Sequence, residues 1–222
     1  MSSIEVGIEC LRRGRPIFIY DFDEREKEID VVVRADYVTP ELIRWIRKNA
    51  GGLICFVTSE DVGKKLGIDF MTNYLKMSNL ELLLKKPSYG DDPAFSIYVN
   101  HVNTRTGIRD KDRALTISRL AHVVKLAVNG NMSEAREVFR REFYTPGHVP
   151  ILLGRVGKRF GHTELSLILA ELAKIPPALV ITEMLSDDGE ALSKEDILKI
   201  SQEMNTVVIT GDEILKYVGY VK

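Results

Sequence analysis

Apolar and polar positions along the chain change period several times. From Ile4 to Leu11 the apolar side chains recur at helical spacing, and Arg12-Arg13-Gly14-Arg15-Pro16 separates them from the β-rich run Ile17-Phe18-Ile19-Tyr20. A short helix feeding a first strand is predicted. Val31-Val32-Val33 reads as a second strand, which leaves the acidic stretch Asp21 to Asp30 in the turn and at the strand entrance. Thr39-Pro40-Glu41 supplies an N-cap, a proline at the first helical position and a first-turn acid, and the helix it starts ends by Gly51-Gly52. Leu53 to Thr58 is a buried strand, and Ser59 caps a short helix ending near Gly67. Tyr74 to Pro93 is mixed and charged, with no clear period, and reads as an inserted excursion.

Phe95 to Val99 alternates like a strand, Arg113 to Ala127 has a helical period stopped by Gly130, and Ser133 caps the helix after it. Val149 to Leu153 is another apolar run. Thr163 to Ala173 is helical until Pro176-Pro177, which precede a strand over Ala178 to Thr182. A helix from Ser193 and a last strand over Thr206 to Thr210 complete the pattern. Irregular alternation of helices with strands apolar on both faces predicts an α/β (α+β) fold: three layers, a mixed twisted sheet covered by helices, in a single domain over residues 1–222.

Composition narrows the partners. With 45% apolar residues the chain can bury a full core, and its formal net charge of −1 is unlike that of a generic polyanion binder, so no nucleic acid is expected. Cys10 and Cys55 are far apart, which argues against a disulfide framework or a zinc cluster and suits a reducing cytosol. No apolar run approaches the roughly 18 residues of a membrane span, and the start lacks a basic segment followed by an apolar one. A soluble, cytoplasmic protein with no membrane partner is the expectation.

The densest candidate for chemistry is Asp21-Phe22-Asp23-Glu24-Arg25-Glu26-Lys27-Glu28-Ile29-Asp30. Extended backbone from Glu26 to Asp30 would put Glu26, Glu28 and Asp30 on one face, where a hard cation such as Mg²⁺ would screen them. A solvated hairpin tip is the alternative, and on this segment alone the two readings stand level. Arg159-Phe160-Gly161-His162-Thr163-Glu164 opens a helix, and free N–H groups beside an arginine make a phosphate cradle in which Gly161 lets the anion come close. There His162 can ligate a metal, and Thr163 offers a hydroxyl or a simple cap. Thr145-Pro146-Gly147-His148-Val149 reads as a proline–glycine turn presenting a histidine, for proton transfer or for a backbone hydrogen bond. Glu183 directly follows an apolar strand, where ligands tend to bind in such sheets. Cys55, inside an apolar run, reads as a small hydrophobe.

Asp21-x-Asp23-x-Arg25-Glu26-x-Glu28-x-Asp30, Gly51-Gly52-Leu53-Ile54-Cys55, Thr106-Gly107, Asp112-Arg113-x-x-Thr116-Ile117, Thr145-Pro146-Gly147-His148-Val149, Gly161-His162-Thr163-Glu164 and Glu183-Met184-x-x-Asp187-Asp188-Gly189 occur in this order. Together they resemble the 3,4-dihydroxy-2-butanone 4-phosphate synthase family, from about Gly14 to the end. The likeness is nearest the archaeal, single-function form, with a longer Tyr74 to Pro93 stretch than bacterial relatives carry. Thr145 departs from the arginine usual in those relatives, and Phe160 holds a position that varies.

The resemblance implies a lyase of riboflavin biosynthesis that turns ribulose 5-phosphate into the four-carbon phosphate and formate. It implies Mg²⁺ as cofactor, with Mn²⁺ as an alternative and two ions per site, and Glu26 and His162 as ligands. Arg25, Glu26, Asp30, Cys55, Thr106, Arg159, Phe160, Gly161, His162, Thr163 and Glu183 then match substrate-holding positions. Glu26, Asp30, His148 and Glu183 match catalytic ones, and Glu28 an acid beside the metal. A homodimer with a shared site is implied, Thr106 and His148 coming from the partner. Three readings compete: another Mg²⁺-dependent sugar-phosphate lyase or isomerase, a nucleotide- or RNA-binding module, and a relative that lost activity.

Overall fold

The computed structural model describes residues 1–220. One mixed sheet organises them, in the order β4-β5-β3-β6-β2-β1-β7. Its strands are β1 (Ile17–Tyr20), β2 (Ile29–Arg34), β3 (Cys55–Ser59), β4 (Phe95–His101), β5 (Phe143–Gly154), β6 (Leu179–Glu183) and β7 (Val208–Thr210). The pairs β1–β7 and β3–β5 are parallel and the other four are antiparallel.

The central strands carry apolar side chains on both faces because both faces are covered. Val31, Val33, Phe56 and Val180 point into one cluster with α2 (Pro40–Asn49), α5 (Asp110–Val128) and α6 (Met132–Glu142). Val32, Val57 and Ile181 point the other way, into a cluster with α1 (Ser3–Arg12), α7 (His162–Leu172) and α9 (Gly211–Tyr217). The result is the three-layer arrangement expected from the sequence. Leu165 and Leu169 of α7 are fully buried, and each such side chain stabilises the packing by about 1.5–3 kcal/mol. That burial holds the first turn of α7 over the ends of β2 and β6.

Several caps follow the sequence reading. The Thr39 hydroxyl accepts from the Leu42 N–H at the start of α2, and Ser59 and Ser193 do the same for α3 (Glu60–Leu66) and α8 (Lys194–Glu203). Gly67 closes α3 at φ 89°, a left-handed value that favours glycine. The excursion begins in the second half of α4 (Met71–Lys76) and has a single 3₁₀ turn at Glu81–Leu83, with Leu82 and Leu83 exposed.

Other expectations need correction. Ser133 lies inside α6, whose N-cap is Asn131, so its hydroxyl caps nothing there. Residues 145–148 are not a free turn but part of the long β5: Val99 faces Val149 while the next residue, Asn100, faces Tyr144, and the intervening residues bulge from the ladder. β3 starts at Cys55 rather than Leu53, Glu183 ends β6 rather than following it, and α9 continues past the last strand. Glu26 to Asp30 is not extended throughout, because Lys27 takes φ 61° and breaks the period of two.

Candidate active site

β1 and β2 are joined by an acidic turn, and one buried carboxylate shapes it. Asp21 accepts from the Glu26 N–H (3.0 Å), the Glu28 N–H (3.1 Å) and Arg25 Nη1 (3.1 Å). Three donors on one buried acid satisfy it and fix the turn. Glu26 is thereby turned toward α7, and Asp30 follows on β2 with the same parity as Val32, facing the α7 layer. Glu183 lies directly opposite Asp30 across the β2–β6 ladder, and Cys55 pairs with Ile181 one step further along that face.

His162, at the first position of α7 and only 4% exposed, closes the group. Its Nε2 lies 3.1 Å from the Glu28 carbonyl oxygen, so Nε2 carries the proton and donates. Nδ1 then faces Glu26 Oε2 at 3.2 Å and Asp30 Oδ1 at 3.7 Å. A lone pair aimed at two carboxylates is repulsive unless a proton or a metal ion lies between them. Without an ion, burial works to lower the His162 pKa, but Asp30 and Glu26 overcome it and push it up to about 9.

The same residues fit a hard divalent cation. Adjacent octahedral ligands at 2.0–2.1 Å from Mg²⁺ stand about 3 Å apart, the spacing of His162 and Glu26. A histidine bonded to a carbonyl through its other nitrogen is the usual support for a metal ligand. Asp21, Glu26 and His162 present donor atoms within 4.8 Å of one another, and Asp30 Oδ1 is buried without a hydrogen-bond partner. Burial is the main reason the Asp30 carboxyl is pushed up to about 7. Burial also opposes ionisation of Glu26, yet His162, Tyr89 and Arg25 hold it down at about 2.

A cavity of about 260 Å³ opens beside this cluster, lined among others by Glu26, Asp30, Cys55, Arg159, His162, Thr163 and Glu183. It is below the size of drug-sized pockets and suits a small substrate. Burial raises the Cys55 thiol well above its ordinary value, so it lines the wall as a neutral group rather than a nucleophile. Arg159 is fixed by Glu164, whose Oε2 takes Nη1 at 2.6 Å and the Gly161 N–H at 3.1 Å. Glu164 therefore makes the capping bond at Gly161, and Thr163 is not the cap; it is buried in the first turn of α7. A Cβ on Gly161 would stand 2.6 Å from Arg25 Nη2 and 2.7 Å from Arg159 Nη1, so only glycine lets both guanidiniums converge there.

Five expected residues lie outside the cavity lining: Arg25 and Gly161, which adjoin Arg159, and Phe160, Thr106 and His148. Phe160 packs on the Tyr220 ring, with centroids 5.3 Å apart. Thr106 is exposed and donates to Asp112, and His148 is exposed and held by Asn100 through its N–H (2.8 Å) and Nδ1 (3.1 Å). Sequence reasoning included Asp21 in the acidic segment without a role of its own, and missed Tyr89, Asn100 and Asp91, whose Oδ2 lies 2.9 Å from Arg25 Nε; no local signal marks those three.

The family described as 3,4-dihydroxy-2-butanone 4-phosphate synthase matches residues 5–217. A synthase of that name from Methanosarcina acetivorans is 40% identical over 227 aligned positions, covering 97% of this chain and 90% of that protein. The crystal structure of the Candida albicans synthase superposes with a TM-score of 0.77 at 26% identity, covering 98% of each chain. A synthase structure in complex with two magnesium ions gives 0.80 at 23% identity, covering all of this chain and 98% of that one, a likeness of fold. A cluster of acids and a histidine that fits a divalent cation, beside a guanidinium-lined helix start, agrees with these matches, and the chain belongs to the 3,4-dihydroxy-2-butanone 4-phosphate synthase family.

Proposed function

We propose that this chain converts D-ribulose 5-phosphate into L-3,4-dihydroxy-2-butanone 4-phosphate and formate, the lyase step its family contributes to riboflavin biosynthesis. In this reading residues 1–222 act as one synthase domain in the cytoplasm. The observation that carries it is the gathering around one cavity of two kinds of group, the acids Glu26 and Asp30 with His162, and Arg159 with Thr163 in the first turn of α7.

Glu26 and His162 would hold Mg²⁺ or Mn²⁺, two ions per site in the fullest form, with Asp21 or Asp30 near enough to join. Such an ion supplies Lewis-acid stabilisation of negative charge developing on neighbouring substrate oxygens. Arg25, Arg159, Gly161 and Thr163 seat the phosphate, which takes no part in bond breaking and serves to keep the reactive carbons in register. Asp30, buried with a free oxygen on the cavity floor, is placed to take the proton from carbon 3, and Glu26 is the second candidate. Loss of the carbon 1 hydroxyl as water, a skeletal shift, and addition of water to carbon 4 before it departs as formate follow, with Glu183 and His148 moving the later protons. Cys55 and Ile181 give that end of the cavity an apolar wall.

His148 and Thr106 are exposed and stand away from the cavity of their own chain, which supports a homodimer in which each protomer lends them to its partner's site. The decisive assay is formate release from ribulose 5-phosphate with Mg²⁺, with and without EDTA, alongside Glu26→Gln and His148→Ala. Stoichiometric formate lost with chelator and in both variants is expected. No formate with substrate and Mg²⁺ in excess would overturn the reading and favour another sugar-phosphate reaction.

A further inference from the structure

The seat for the phosphate is already taken by the protein itself. Asp91, from the excursion between α4 and β4, places Oδ2 2.9 Å from Arg25 Nε and 3.5 Å from Arg159 Nε. The two guanidiniums, 9% and 10% exposed, belong to different ends of the chain and meet at Gly161. Asp91 fills the seat incompletely. Its Oδ2 accepts a hydrogen bond from Arg25 Nε and only approaches Arg159, so Arg25 Nη2 and Arg159 Nε remain buried without a hydrogen-bond partner. A phosphate monoester offers three terminal oxygens and more charge, so it can meet donors that a carboxylate leaves open.

Resting on the proposed function, we infer that Asp91 is an internal competitor of the substrate's phosphate: its carboxylate holds Arg25 and Arg159 until a phosphate displaces it. Two like-charged groups cannot share so small a seat in a partly dry site. Pro87 and Tyr89 line the cavity, and the Arg25 guanidinium stacks on the Tyr89 ring at 4.8 Å. Entry of the phosphate therefore releases the strap that Asp91 pins, and opening of the cavity mouth is coupled to recognition of the phosphorylated end. Arg25, which lies under the strap rather than in the cavity wall, passes from Asp91 to the substrate.

The test is titration of the full-length protein with inorganic phosphate in the absence of metal, for wild type, Asp91→Asn and Asp91→Glu, together with KM for ribulose 5-phosphate. Asparagine keeps the shape and removes the charge at a partly exposed position. Asp91→Asn is expected to bind phosphate about tenfold tighter, with KM falling in parallel, the size set by an ion pair shared between two arginines. Asp91→Glu is expected to stay near wild type. Phosphate binding by Asp91→Asn equal to or weaker than wild type, or equal tightening in Asp91→Glu, overturns the inference. Tighter phosphate binding with no formate from any of the three proteins would instead sink the proposed function and leave the competition standing.

Discussion

Asp30 and Glu183 stand directly opposite each other across the antiparallel β2–β6 pair, on the face covered by α7. Directly opposed residues bring their Cβ atoms within about 4.5–5.5 Å, and like charges there destabilise a sheet. Burial pushes both carboxyls up, and each sits near further acids. The pair therefore costs the fold stability while giving the cavity two acids on one wall.

Replacing Glu183 by glutamine should relieve that repulsion and remove a proton carrier. In EDTA the variant is expected to melt about 1–4 °C higher than wild type, from roughly 0.5–1 kcal/mol of relief. Formate release should fall by about 10²-fold or more. A lower melting temperature in EDTA would contradict the repulsion.

Mg²⁺ should raise the thermal stability of the protein, because it would bind Glu26 and His162 only in the folded state. At a hundred times its dissociation constant an ion adds about 2.7 kcal/mol. His162→Ala and Glu26→Gln should lose most of that gain and retain no formate release. Melting curves with Mg²⁺ and with EDTA decide it: an undiminished gain in both variants would remove these residues from the ligand set.

His148 and Glu26 would act on opposite protomers of one site. Mixing inactive His148→Ala with inactive Glu26→Gln protein, unfolded and refolded together, should then restore about a quarter of wild-type formate release, since half the twofold dimers are mixed and each mixed dimer has one intact site. Recovery near zero, with heterodimers demonstrated by mass, would place both residues in the same protomer's site.

Asp112 ties the Thr106 loop to α5, accepting from the N–H groups of Thr106 (3.3 Å) and Gly107 (3.1 Å) and from Arg109. Arg109 is the main reason its pKa is lowered to about 2. A depressed carboxylate stabilises the fold above its ordinary pKa of 3.8, and that stability is lost as pH falls through about 2. Urea unfolding between those values should show a steeper acid loss in wild type than in Asp112→Asn, and the variant should have a raised KM through Thr106. Parallel pH profiles would show that Asp112 contributes little.

Local patterns in the sequence were enough for most elements because they rest on nearest-neighbour physics. Thr39-Pro40-Glu41 and Ser193 start helices through caps they carry themselves, and Val31-Val32-Val33 reads as a doubly buried strand without reference to what covers it. Ser133 misled because Asn131 starts that helix two residues earlier, and Thr145-Pro146-Gly147-His148 misled because pairing with β4 absorbs the segment as a bulge. The period-two reading of Glu26 to Asp30 failed at Lys27, whose left-handed backbone serves the hydrogen bonds gathered by Asp21.

The sequence by itself determined the layer order, the acidic turn between two strands, the arginine and histidine at a helix start, and, through the order of its motifs, the family. These depend on residues close together along the chain or on the motif order as a whole. Tertiary structure alone decided that His162 reaches back to Glu26 and Asp30, that Glu183 opposes Asp30, and that Asp91 lies between Arg25 and Arg159. Those contacts join residues tens to more than a hundred positions apart, and their geometry is set by sheet register and by how α7 and the excursion pack, which no local pattern encodes.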